Sequence, residues 1–136
     1  MTDDDTLRSL LQSTHTIAVV GLSVDPQRPS HDVARYLQAH GYRIVPVNPG
    51  CNEVLGEPCF ARLEDIPFPV DMVNVFRRPA ELVPIARSAV AIGARCLWQQ
   101  QGVANGEADA IARAAGLVSV MDRCIKIEHL RLMPGR

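Results

Sequence analysis

Short apolar runs that alternate with helix-patterned segments constrain this chain more than any other feature. The run Thr16-Ile17-Ala18-Val19-Val20 closes on Gly21, and residues 42–47, 70–76, 95–98 and 117–121 repeat the theme between Gly, Pro or Asn. Continuous apolar runs, rather than polar–apolar alternation, mark strands buried on both faces. Between them the spacing turns helical. Leu7, Leu10 and Leu11 predict a helix over 4–13, and Val33, Ala34 and Leu37 predict one that Ser30 caps and that ends before Gly41. Pro79 can open a helix to about Ile92, with Pro84 near its first turn or kinking it. Asn105 caps a helix through Ala115, and 122–132 is a last helical or irregular segment. Residues 51–69 are irregular, with one helical turn at 63–66 closed off by Pro67 and Pro69.

Strands separated by helices of about ten residues require βαβ crossovers, hence a parallel sheet covered on both sides. The expected fold class is therefore α/β: a three-layer Rossmann-like fold with a mostly parallel five-stranded sheet flanked by helices. The length of 136 residues fits a single domain over 1–136, with a core of about 14–132 and tails at 1–6 and 133–136. A net charge of -1 leaves no electrostatic footprint for nucleic acid or an anionic membrane. No apolar run approaches the roughly 20 residues of a spanning helix. Asp3, Asp4 and Asp5 stand where an export signal carries positive charge, so the expected location is the cytoplasm. Cys51, Cys59, Cys96 and Cys124 form no CxxC pair and no zinc spacing, so no metal is expected and all four are expected as thiols. Cys96, inside a strand, reads as a small core residue. Thirteen arginines against one lysine read as base composition of the genome.

In an open parallel sheet, ligands bind beyond the C-terminal strand ends, where strand order reverses. Those ends are written unlike the rest of the chain. Gly21 ends the first strand, and Ser23, Asp25, Arg28 and Ser30 follow before a helix start. A helix start offers free N–H groups and positive dipole to phosphate, so this is a candidate pyrophosphate cradle. Gly21 can also merely permit a turn, and Ser30 merely cap. The third strand ends in Phe76-Arg77-Arg78-Pro79. Guanidinium groups bind phosphate and stack on bases; the same arginines can also be exposed loop residues that make surface pairs. Gln99, Gln100 and Gln101 follow the fourth strand and supply amides for neutral hydrogen bonds, Gln100 foremost, whereas Trp98 reads as half-buried packing. GxGxxG is absent, since Gly41 is the next glycine after Gly21, and Asn48-Pro49 occupies the place of the acid that holds an NAD ribose. No Gly-Lys-Ser/Thr occurs, so there is no P-loop.

Several segments together resemble the small CoA-binding domain proteins. They are residues 17–23 with Arg28-Pro29-Ser30, residues 42–49, residues 70–79 and residues 121–129, in the family's order over about 14–132. The fold is similar to the N-terminal domain of the succinyl-CoA synthetase α subunit, without the second domain that carries the phosphorylated histidine. The resemblance implies coenzyme A held by Gly21, Ser23, Arg28, Ser30, Val47, Asn48, Pro49, Phe76, Arg77 and Arg78. The 3′-phosphate of CoA is the added ribose phosphate that Arg77 or Arg78 can meet.

The expected function is non-catalytic binding of CoA or an acyl-CoA by a monomer or homodimer. The alternative is a subunit or domain of an acyl-CoA-processing or nicotinamide-dependent enzyme working with a partner. No catalytic set is legible. Cys124, between Arg123 and Lys126, is the one thiol candidate, because neighbouring cations favour thiolate. His129 and Glu128 are adjacent on a helix and diverge. Asp71 and Asn74 are expected to bond locally or to mark a sheet edge.

Overall fold

The computed structural model describes residues 2–133 and 135. In chain order the elements are α1 (Asp4–Ser13), β1 (Thr16–Val20), α2 (Pro29–Ala39), β2 (Arg43–Val47), β3 (Glu53–Val54), β4 (Glu57–Pro58), β5 (Met72–Val75), α3 (Leu82–Ala91), β6 (Cys96–Gln99), α4 (Gly106–Ala114), β7 (Val118–Val120) and α5 (Ile125–Leu132). Short 3-10 turns at Leu63–Asp65 and Pro79–Glu81 precede β5 and α3. Five strands form one sheet in the order β2-β1-β5-β6-β7, with every neighbouring pair parallel. The expected Rossmann-like α/β class is what the chain adopts. β3 and β4 make a separate antiparallel hairpin within the irregular stretch.

Alternate residues of each strand feed two cores, because successive side chains point to opposite faces. Ile17, Val19, Ile44, Met72 and Trp98 meet Leu7 and Leu11 of α1, Leu37 of α2 and Ile125 of α5. Ala18, Val45, Val73, Val75 and Leu97 meet Leu82, Ala86 and Ala89 of α3 and Ala108 and Ala112 of α4. The second face is lined by alanines, which let α3 and α4 lie close together over the sheet. Burying each large aliphatic side chain contributes about 1.5–3 kcal/mol, so neither face is dispensable.

Four expectations change. Ser30 does not cap α2: Arg28 is the extended N-cap residue and Pro29 takes the first helical position, where its missing N–H costs nothing. Cys51 and Cys59 are joined in a disulfide, so only Cys96 and Cys124 are free thiols. The disulfide spans the β3–β4 hairpin, which brings together two cysteines eight residues apart. Trp98 is wholly buried and not half-buried, with its Nε1 donating to the Arg123 carbonyl at 2.8 Å. Of the expected tails, residues 4–6 are helix and Met133 packs into the core, while Met1, Pro134 and Arg136 lie outside the described residues. The last segment is helical and packs on its own sheet through Ile125, His129 and Leu132.

Candidate functional site

From β1 the chain steps outward to β2, then returns across β1 to β5 and continues the other way, so order reverses between β1 and β5. Their C-terminal ends run into Gly21 and Phe76. Gly21 N–H donates to the Val47 carbonyl at 2.9 Å, and Phe76 N–H donates to the Val20 carbonyl at 2.8 Å. Gly21 has φ +87, and a Cβ placed on it would stand 2.6 Å from the Phe76 carbonyl oxygen and 2.8 Å from Arg77 Cδ. Both the backbone angle and the space demand glycine here.

A cleft of about 780 Å³ opens over this junction, inside the range of roughly 300–1,000 Å³ common for small-molecule sites. The first loop and α2 contribute Gly21, Ser23, Arg28 and Ser30; the β5 end contributes Phe76, Arg77 and Arg78; Gln100 and Cys124 complete the lining. Eight of the eleven expected ligand residues thus share one cavity with the thiol candidate. Ser30 Oγ accepts from Ser23 N–H at 3.0 Å and Ser23 Oγ accepts from Asp25 N–H at 3.0 Å, so the hydroxyls shape the loop and still have a proton to donate. The Arg28 side chain is exposed and has no ion-pair or hydrogen-bond partner among the described residues. It is the uncommitted cation beside the start of α2.

The two following arginines differ from it. Arg77 Nη2 donates to Glu81 Oε1 at 2.8 Å, and that bond above all holds the Glu81 carboxyl below its usual range. Arg78, with 87% of its side chain exposed, sits 3.5 Å from the same carboxylate. A phosphate at Arg77 must therefore compete with Glu81. A surface pair was the alternative the sequence offered for these arginines, and Arg77 makes one at i,i+4 spacing.

The second-strand turn divides. Val47 and Pro49 line a neighbouring groove of about 420 Å³, which shares Gly21 and Arg77 with the main cleft. Asn48 lines neither. Its Nδ2 donates to the Leu22 carbonyl at 3.0 Å and its Oδ1 accepts from Gly50 N–H at 3.1 Å, so it braces the first loop against the turn. Gln99 is likewise a brace, paired with the Asn105 backbone through both amide atoms. Gln101, Gly102 and Val103 join Gln100 in the cleft wall, as does Val33 from α2.

Cys124 is the N-cap residue of α5 and partly exposed. The cations expected to flank its thiol are engaged elsewhere: Lys126 Nζ donates to Asp32 at 2.9 Å, and Arg123 faces Glu128 at 3.7 Å and the Thr2 carbonyl. Asp71 is a brace between segments, since its carboxylate accepts from the N–H groups of His15 and Thr16. Asn74 marks no edge. It lies in the central strand between Val19 and Trp98, fully buried, with no partner for either amide atom among the described residues. No cluster of metal-ligating side chains and no helix long and apolar enough to cross a membrane occur among the described residues.

A parallel sheet with helices on both faces and an open cleft at its switch point defines a Rossmann-like α/β domain. Comparison with known proteins narrows this. A family model described as a CoA binding domain matches residues 15–130, so the chain belongs to the CoA-binding domain family. It is 42% identical over 123 residues to the uncharacterized protein YneT of Bacillus subtilis (strain 168), covering 90% of this chain and 91% of that one. The solved structure of a hypothetical protein from Pyrococcus horikoshii OT3 superposes with a TM-score of 0.95 at 38% identity, over 97% of this chain and 93% of that chain. A third relative is acetate–CoA ligase (ADP-forming) II of Archaeoglobus fulgidus, 34% identical over 71 residues. That match takes in 51% of this chain but only 10% of the ligase.

Proposed function

We propose that this chain binds coenzyme A or an acyl-CoA in the 780 Å³ cleft, as a holder of the ligand rather than a self-contained catalyst. The observation that carries the reading is the convergence of Gly21, Ser23, Arg28, Ser30, Phe76 and Arg77 on one cavity at the switch point of a CoA-binding family fold. The pyrophosphate would lie along Gly21 and the start of α2, where Ser23, Ser30 and the unpaired Arg28 line the cleft. Arg77 and Arg78 would meet the 3′-phosphate, and the groove at Val47 and Pro49 continues the surface from Arg77. The pantetheine arm would then run toward Gln100. Its amides suit a neutral hydrogen-bonding wall.

The likeness to one tenth of an acetate–CoA ligase supports a second arrangement, in which such a domain serves an acyl-CoA-processing partner. Calorimetric titration with CoA, acetyl-CoA and NAD tests the main reading. CoA is expected to bind at least tenfold more tightly than NAD, a gap of about 1.4 kcal/mol. NAD binding as tight as CoA would overturn it.

A further inference from the structure

We infer that the part of the cleft lined by Gln100 and Cys124 is a thiol-exchange site, at which Cys124 captures CoA from a CoA disulfide as a mixed disulfide. This rests on the reading that the cleft holds CoA and extends it to covalent capture.

Cys124 ends the loop that leads into α5, and its partly exposed side chain lines the cleft. The next residue fixes the neighbouring amide. Ile125 N–H donates to Gln100 Oε1 at 3.1 Å, so the oxygen of that amide faces α5 and its NH2 is the end left over. Gln100 is only 4% exposed, yet it lines the cleft, and its Nε2 makes no hydrogen bond with any described residue. This amide nitrogen opens on the cleft and is free to donate to an acceptor that enters it. The pantetheine arm carries amide carbonyls close to its thiol. The same cleft is lined by Arg28 and Ser30 at the start of α2, which suit phosphate. It thus brings cations, a free amide and a thiol to one cavity. A ligand that carries phosphates, amide carbonyls and a sulfur matches that set of groups.

No other sulfur competes for the role. Cys96 is buried in β6, and burial pushes its thiol far up. Cys51 and Cys59 are bonded to each other, and neither lines the cleft.

The exchange balances without a further oxidant. The Cys124 thiolate attacks one sulfur of CoA disulfide, a bond forms between Sγ and that sulfur, and the original S–S bond breaks. The second CoA leaves as thiolate and takes up the proton that Cys124 released. With Arg123 and Lys126 engaged elsewhere, selectivity must come from binding, which aligns the reacting sulfur with Sγ.

The test incubates the intact protein with CoA disulfide at neutral pH, without reductant, and follows intact mass and a peptide map. One CoA adduct on Cys124 is expected, released by dithiothreitol. It should form at least tenfold faster than the adduct from hydroxyethyl disulfide at equal concentration. Cys124→Ser should gain no adduct while still binding CoA by calorimetry, and Gln100→Ala should slow adduct formation several-fold. An adduct confined to Cys51 or Cys59, or equal rates with the two disulfides, overturns the inference. So does CoA binding without any adduct, which leaves the binding function standing. Absence of both binding and adduct removes both.

Discussion

The two ends of the sheet are built on opposite policies. At the N-terminal ends of the strands, polar groups are spent on one another. Asp71 holds the His15 and Thr16 backbone, the Tyr42 hydroxyl donates to the Leu11 carbonyl at 2.6 Å, and His129 Nδ1 lies 2.7 Å from the Tyr36 hydroxyl. The cavity there is small, about 220 Å³. At the C-terminal ends, Arg28 and the Gln100 amide nitrogen are left over around a cavity more than three times larger. The difference separates an end closed by its own hydrogen bonds from an end whose polar groups are left free to meet a ligand.

Two glycines break this comparison most sharply. Gly21 and Gly41 both have positive φ, but only Gly21 lacks room, since nothing lies within 4 Å of a Cβ on Gly41. Gly21→Ala should cost roughly 2–4 kcal/mol from left-handed strain plus overpacking and abolish CoA binding. Gly41→Ala should cost only about 1–2 kcal/mol and leave CoA affinity unchanged. Urea denaturation and calorimetry on the two variants check both halves.

Next in size is the arginine pair. Arg77→Ala with Arg78→Ala should weaken CoA by about tenfold to a hundredfold, taking about 1.5–3 kcal/mol for lost charged hydrogen bonds. Arg77 should carry most of this, because Arg78 is nearly free in solvent. Loss confined to the Arg78 variant would reverse the assignment.

A smaller effect belongs to the opposite end. Burial, then the neighbouring His40, pushes the His129 pKa below its ordinary value of 6.5. The fold thus favours neutral His129. Its stabilisation is present above pH 6.5 and is lost as pH falls from there through the folded pKa, by at most about 1.4 kcal/mol per pH unit. Urea denaturation at pH 7.5 and 5.5 should show this loss, and His129→Gln should flatten it.

The sheet was legible because its strands are continuous apolar runs: β1 and β2 lie where Thr16–Val20 and residues 42–47 predict them. The cleft was largely legible too, since a switch point follows from crossover topology and its segments carry Gly21, the serines and the arginines. What escaped was pairwise. Asn48 carries no sequence sign of the brace its amide makes to the Leu22 carbonyl. Ser30 looks like a cap until Pro29 takes the first helical position. The disulfide escaped because only the β3–β4 hairpin, too short to show periodicity, brings Cys51 to Cys59. Such contacts depend on which loop returns to which, and residue spacing along the chain does not encode that.

The most direct measurement is the affinity ratio of CoA to dephospho-CoA for the unmodified protein. If the cleft holds CoA with its 3′-phosphate at Arg77 and Arg78, dephospho-CoA should bind about tenfold or more weakly, the worth of roughly 1.4 kcal/mol. Equal affinities would contradict the assignment of the arginines, and failure of both ligands to bind would contradict the account of the cleft.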